Sequence, residues 1–252
     1  MVTQISVDIK KKEFFNTLNR ESSHIAIKKL KLKVLKGQFC SIIGPSGCGK
    51  STLLNLISGL DKSFDGAIKF NRNKKVEQLR VSYMFQTPRL LPWLNVLQNV
   101  EVVLSKAQIK ESKSKEFLSL MGLEKFLDYF PNKLSGGMQR RVALARSFAV
   151  EPELLILDEP FVSLDEPAAN LLRNMLLDLW SKQPTTVIFV THNISEAIYL
   201  ADKIIFLSKS PARVLKEVNI NNTRPRNSNS ESIQKIKKSI LKSNSSILKG
   251  EI

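Results

Sequence analysis

Short unbroken apolar runs recur along this chain, separated by stretches in which apolar residues return every three or four positions. Phe39-Cys40-Ser41-Ile42-Ile43, Leu154-Leu155-Ile156-Leu157 and Val187-Ile188-Phe189-Val190 are runs of the first kind. Their length and β-prone composition predict strands buried on both faces. Gly66-Ala67-Ile68-Lys69-Phe70 and Val81-Ser82-Tyr83-Met84-Phe85 predict two more strands, the second ending at Gln86. Helical periodicity runs from Lys50 through Leu53, Leu54, Leu56 and Ile57, and again from Pro167 to Trp180, where Pro167 is tolerated in the first turn. From Asn95 to about Phe130 the pattern is helical and polar, with Lys and Glu between Leu, Val and Phe. Residues before Gly37 predict short strands joined by a polar hairpin around Asn19 to Ser23.

These elements alternate in the α/β manner over residues 1–215, with a helical insertion at about 90–150. Beyond Pro211 the periodicity fades. Asn219 to Ser246 is dominated by Asn, Ser and Lys, so residues 216–252 are expected to form a disordered basic tail with one marginal helix near Ile233 to Leu241. No internal repeat is present.

Composition narrows the class. The 252 residues suffice for one large domain or two small ones, and 42% of them are hydrophobic, as in a soluble globular protein. No stretch approaches a membrane span, and no secretory leader is expected, which places the chain in a reducing compartment. Cys40 and Cys48 fit that placement: they are too few for a disulfide framework and lack metal-ligand spacing. The net charge of +16 invites nucleic-acid or anionic-lipid partners. It is spread over Lys10 to Lys12, Lys28 to Lys36, the trio Arg72, Lys74 and Lys75, and the tail, without the interleaved aromatics that stack bases. A solvated lysine-rich surface is the simplest account, with attraction to acidic headgroups as its competitor.

The chemistry starts at Gly44-Pro45-Ser46-Gly47-Cys48-Gly49-Lys50-Ser51-Thr52, between the first buried strand and the first helix. This is an intact G-x-x-x-x-G-K-[ST] phosphate loop. Its glycines let backbone N–H groups approach phosphate, and the positive end of the helix faces the anion. Lys50 would reach the β- and γ-phosphates of a nucleoside triphosphate, and the Ser51 hydroxyl would ligate Mg²⁺. The strand Leu154 to Leu157 runs into Asp158-Glu159-Pro160. Acids at the carboxyl end of a buried strand lie where open α/β sheets bind ligands. Asp158 would hold Mg²⁺ and Glu159 would orient and deprotonate water. For adjacent acids to serve one site, the strand must end near Asp158. Taken alone, the pair could equally be solvated acids at an ordinary strand exit.

Leu134-Ser135-Gly136-Gly137-Met138-Gln139-Arg140-Arg141 precedes a helix containing Val142 to Ala145, a second anion-compatible helix start. L-S-G-G before a Gln/Arg-rich helix, placed between the phosphate loop and the acidic strand, resembles the signature of ATP-binding-cassette (ABC) ATPases. Gln86 resembles their Q-loop glutamine, Ser163-Leu164-Asp165 their D-loop, and Thr191-His192-Asn193 their switch histidine; His24, in the polar hairpin, is read as structural. The resemblance spans about residues 5 to 215. Phe85 to Trp93, with R-L-L-P-W at Arg89 to Trp93, together with Asn95 to Val100, looks like the nitrate/sulfonate/taurine importer branch. Phe161-Val162-Ser163 departs from that branch's usual Phe-Gly-Ala.

The resemblance implies an α/β P-loop NTPase with a mixed or parallel central sheet, an N-terminal antiparallel β-subdomain and a helical subdomain insertion. It implies ATP and Mg²⁺ as ligands, Glu159, His192 and Gln86 as catalytic residues, Ser51, Gln86 and Asp158 at the metal, and Phe14 under the adenine with Phe15 as rival. Two copies would pair head to tail, each closing Ser135, Gly136 and Gly137 of one chain over the phosphate loop of the other. A separate permease and a substrate-binding protein complete such an importer, at the cytoplasmic face of the cell membrane. A cassette of another transporter branch, or a non-transport cassette acting on nucleic acid, is the alternative; a steep salt dependence of nucleic-acid binding marks the latter. The solute is not legible, because this subunit does not touch it.

Overall fold

A computed structural model describes residues 3–15, 23–71, 76–224, 226, 230–243 and 246–251. In chain order the first elements are β1 (Thr3–Phe15), β2 (Ser23–Leu35), β3 (Phe39–Ile43), α1 (Lys50–Ser58), β4 (Asp65–Phe70), β5 (Val81–Met84), α2 (Val96–Glu101), α3 (Lys106–Lys110) and α4 (Lys113–Leu120). There follow α5 (Gly136–Ala149), β6 (Leu154–Asp158), α6 (Glu166–Lys182), β7 (Thr186–Val190), α7 (Ile194–Leu200), β8 (Lys203–Leu207), β9 (Val214–Asn219) and α8 (Glu231–Ser243). The chain forms two compact units, Met1–Leu79 with Thr186–Ile252, and Arg80–Thr185.

In the first unit, β1 pairs antiparallel with β2 on one side and β4 on the other. The period-2 pattern decides the face: Ile5, Val7 and Ile9 of β1 and Leu30, Leu32 and Val34 of β2 are buried, while Lys31 and Lys33 point outward. Each such buried aliphatic contributes roughly 1.5–3 kcal/mol over its exposed state. The strands are longer than the short ones expected, 13 residues each, because lysines on the solvated face do not interrupt a half-buried strand. Lys31 pairs with Asp8 across that face at 2.9 Å. Residues 19–22 of the expected hairpin, and the basic trio Arg72, Lys74 and Lys75, lie outside the described residues.

The same unit holds a second sheet in which β3 is flanked in parallel by β7 and β8, with β9 antiparallel to β8. All five residues of β3 and of β7 are buried, which accounts for their unbroken apolar runs. Phe39 and Phe189 meet edge to face at 6.1 Å.

In the second unit, β5 and β6 pair in parallel, and α5 packs on α2, α4 and α6. Asn95 caps α2 in a reciprocal box with Gln98, Ser105 does the same for α3 with Gln108, and Asp165 caps α6 just before Pro167. The helical segment expected after Asn95 is built from three short helices, the first two of which have their own capping boxes.

Regular elements continue beyond residue 215. Strand β9 runs to Asn219, α8 contains the expected helix, and a 3₁₀ turn at Ile247–Lys249 follows. Ile233, Ile240 and Ile247 are buried, so a few well-spaced apolar residues anchor a segment whose bulk composition is polar. Its end docks on the chain after β8: Lys209 N donates to Gly250 O at 3.2 Å, and Lys209 Nζ pairs with Glu251 at 2.5 Å. Among the described residues no helix is long and apolar enough to cross a membrane.

Candidate nucleotide site

Strand β3 delivers the chain into the phosphate loop, and α1 leaves it. The loop is wound around its own lysine: Lys50 Nζ donates to Gly44 O and Pro45 O, both at 2.9 Å. Cys48 N closes the turn on Pro45 O at 3.3 Å. Gly49, the N-cap of α1, has φ +112°, and a Cβ there would come within 3.0 Å of Ala26 O. Gly44 is constrained by space instead, since its Cβ would lie 2.7 Å from Cys48 Sγ. The N-cap of α1 is a glycine, so no N-cap side chain covers its first amides, and the helix opens with its positive end toward the loop. This cradle fits a phosphate chain. Burial raises the Cys48 thiol above its ordinary value, against the nearby Lys50 charge, and keeps it a neutral packing group.

His192 leaves the same sheet edge as the loop. Thr191 N donates to Ile42 O at 3.3 Å, so the residue before the histidine is aligned with the end of β3. Thr191 Oγ1 donates to Glu196 Oε2 at 2.6 Å and accepts from Asn193 N at 3.0 Å, while Asn193 caps α7. The exposed imidazole is thus carried between two residues whose side chains are tied down. Phe14 and Phe15 end β1, both exposed; the Lys12 ammonium lies 4.6 Å from the Phe14 ring centre. Lys12 is itself buried, bound to Asp61 at 2.7 Å and Ser63 O at 2.7 Å, which ties the Phe14 end of β1 to the chain leaving α1.

In the second unit β6 ends at Asp158, and Glu159 turns with φ +46°, a left-handed conformation uncommon outside glycine. This turn breaks the two-face alternation of a strand at the position the sequence required. Tyr83 Oη donates to Asp158 Oδ2 at 3.3 Å, and Gln86 Nε2 donates to Glu159 Oε2 at 3.4 Å. Burial first, and then the Asp158 charge, push the Tyr83 phenol upward, so it remains a neutral donor. Gln86, Asp158 and Glu159 are therefore brought together at the carboxyl ends of β5 and β6. Among the described residues no group of three or more His, Cys, Asp and Glu side chains is placed to hold a metal.

Ser135 caps α5, its Oγ accepting from Met138 N at 3.2 Å. A Cβ on Gly136 would meet nothing within 4 Å, and one on Gly137 would make only ordinary contacts, with Ala168 at 3.8 Å, Leu164 at 3.9 Å and Ser135 Oγ at 4.0 Å. The signature start is an open, small-residue face. Asp165 of the D-loop serves as the α6 cap through Ala168 N at 2.8 Å.

Two residues of the second unit escaped sequence reasoning. Arg140, buried, donates to Gln86 O at 2.9 Å, Pro160 O at 2.8 Å and Val162 O at 2.6 Å. Asn99, fully buried, donates to Leu91 O, Leu94 O and Asn95 O and accepts from Leu91 N at 2.8 Å, fixing the chain around Arg89 to Trp93. Asn99 lay inside a stretch that the sequence singled out, but the pattern carried no sign that its amide is buried.

A phosphate loop after a parallel strand, an acid pair at the end of another, and a serine-capped signature helix define an ATP-binding cassette. The chain belongs to the ABC transporter family, whose pattern matches residues 27–162. It is 41% identical over 217 residues to an aliphatic sulfonates import ATP-binding protein, SsuB, of Bacillus cereus, covering 85% of this chain and 86% of that one. The SsuB protein of Bacillus subtilis (strain 168) is 38% identical over 242 residues, covering 94% and 92%. An uncharacterized ABC transporter ATP-binding protein of Methanocaldococcus jannaschii is 40% identical over 232 residues, covering 90% and 85%. Among solved structures, an ATP-binding cassette dimer in a post-hydrolysis state with ADP and Pi superposes with a TM-score of 0.75 at 31% identity, covering 87% of this chain and all of that one.

Proposed function

We propose that this chain is the ATP-hydrolysing subunit of an importer for a small anionic or organosulfur solute. The observation that carries the importer reading is the segment Arg89 to Trp93, held in place by Asn99 in a chain 38–41% identical to sulfonate import proteins. In the second unit Arg89 lies over the Phe85 ring at 3.6 Å, and Arg146 donates to Pro88 O and Arg89 O at 2.8 and 3.1 Å. The segment is tied to α5 and to its own Phe85 at several points.

In this reading Lys50 and the amides at the start of α1 bind and orient the phosphates, and Phe14 supports the adenine. Ser51, Asp158 and Gln86 hold magnesium, which when bound neutralises phosphate charge. Glu159, kept in place by Gln86, orients a water and takes its proton. His192 senses the terminal phosphate. Ser135, Gly136 and Gly137 cover the triphosphate bound to a second copy, so that ATP binding closes the pair and hydrolysis releases it. The helical segment after Asn95 passes the motion to a permease, and a substrate-binding protein delivers solute on the other side. The pair sits peripherally at the cytoplasmic face of the membrane.

The test is purification of the chain with its membrane partner, followed by reconstitution and uptake of taurine, alkanesulfonates and nitrate. ATP-dependent uptake of one of these, lost when the chain is omitted, is expected; uptake indifferent to the chain or to ATP would overturn the reading.

A further inference from the structure

Helix α7 begins two residues after His192 and is seven residues long, too short to be stable by itself. The chain after β9 returns to it and grips both ends. Arg226, buried, donates Nη1 to Ile198 O at 2.7 Å and Ala201 O at 2.6 Å, Nη2 to Ile220 O at 3.3 Å and Nε to Asn222 O at 2.9 Å. Arg224 donates Nε and Nη2 to Leu200 O at 2.9 and 2.5 Å. These α7 oxygens belong to the last turn, where a helix leaves carbonyls without internal partners and favours positive charge. Arg224 also pairs with Asp202 at 2.6 Å, and Asp202 Oδ2 accepts from Phe39 N at 2.9 Å, at the start of β3. The grip is therefore anchored to the strand that carries the phosphate loop. Burial, then the neighbouring Arg224 charge, push Arg226 down to about 10, which leaves it protonated at neutral pH.

At the other end Lys237 of α8 donates to Ser195 Oγ at 2.9 Å, and Ser195 N donates to Asn193 Oδ1 at 2.9 Å. Asn193 adjoins the histidine. The same segment ends beside the loop itself: a Cβ on Gly250 would lie 2.9 Å from Pro45 Cγ.

We infer that Arg224, Arg226 and Lys237 are positioning residues for His192: the C-terminal segment fixes α7, and through Asn193 the switch histidine, so ATP turnover depends on it. The inference rests on the reading of His192 given above. Lys237 offers the cleanest test, because its side chain is only half-buried and its partner is a serine hydroxyl, so its loss leaves no α7 carbonyls unpaired.

The full chain and the variants Lys237→Met, Lys237→Arg, His192→Ala and the double variant Lys237→Met/His192→Ala are compared for kcat and KM of ATP hydrolysis, affinity for a fluorescent ATP analogue, and thermal midpoint. Misplacement of a catalytic group by less than an ångström predicts a fall in kcat of about 5–20-fold for Lys237→Met, with KM and analogue affinity within about twofold. Lys237→Arg should recover most of the rate. In the His192→Ala background Lys237→Met should cost nothing further, since it acts through the missing side chain. If His192→Ala turns over at the full rate, the switch reading itself fails. If His192→Ala is inactive while Lys237→Met is as fast as the parent, or if Lys237→Met lowers the residual rate of His192→Ala by the same factor as in the parent, the positioning inference is overturned. Arg226→Met, which also leaves α7 carbonyls unpaired, should lower kcat and the thermal midpoint together; an unchanged kcat there would count equally against it.

Discussion

Arg140 donates Nη1 to the main-chain oxygen of Gln86 at 2.9 Å, tying the helix that begins at the signature serine to the residue that faces Glu159. The same guanidinium holds Pro160 O and Val162 O, so one side chain sets both strand exits of the second unit. Arg140→Met leaves three carbonyls without their donor and should cost about 2–4 kcal/mol. The fall in urea midpoint measures that cost. ATP hydrolysis should drop more than the folded fraction does, because Gln86 and Glu159 lose their common support.

Tyr83→Phe removes only the hydroxyl that donates to Asp158 at 3.3 Å. Stability should change by about 1 kcal/mol or less. If Asp158 holds the metal, the magnesium concentration for half-maximal hydrolysis should rise about 2–10-fold, as it does when an outer partner of a metal ligand is removed. A magnesium titration at saturating ATP checks this, with an unshifted midpoint counting against Asp158 as the ligand.

Asn99 should separate hydrolysis from transport. Asn99→Ala removes four hydrogen bonds around Leu91 to Asn95 and leaves the Gln86–Glu159 contact in place. Basal ATPase activity of the folded variant should stay within about twofold, while reconstituted uptake falls at least about tenfold if the loosened segment is the one that meets the permease. Parallel losses of both would contradict a coupling role.

Burial pushes the Cys40 thiol, inside β3, up to about 12. The unfolded chain ionises the same thiol near pH 8.5, so above that pH it has lost a proton the native state still holds. The thiol's contribution to stability is complete below about pH 8.5 and is lost as pH climbs toward the folded value. The thermal midpoint should therefore decline from about pH 8.5 upward. At pH 8.5 iodoacetamide should modify Cys40 only after denaturation.

Much of this site lay open in the sequence because local rules place it. The phosphate loop, the helix start at Ser135 and the buried strands β3, β6 and β7 each depend on residues within a few positions of one another. The end of the strand near Asp158 was implied as well, since two adjacent acids cannot share a side of a continuing strand; the left-handed turn of Glu159 was not. What stayed hidden depends on distant partners. Arg140 stands beside Arg141 in a polar helix, and only carbonyls 54 and 20 residues away decide that it is buried. Arg226 sits in a segment of disorder-like composition, yet it binds carbonyls 28 and 25 residues back. Composition averages over such a segment and misses the three spaced isoleucines that are buried and the two arginines that bind α7.

Glu159→Gln tests the central claim most directly. The substitution keeps the side chain's shape and its place beside Gln86 while removing its capacity to take a proton. The account predicts ATP binding within about threefold of the parent, hydrolysis reduced by about 10²–10⁴-fold, and an ATP-dependent dimer visible by sedimentation. Hydrolysis at the parental rate in that variant, with ATP bound normally, would contradict it.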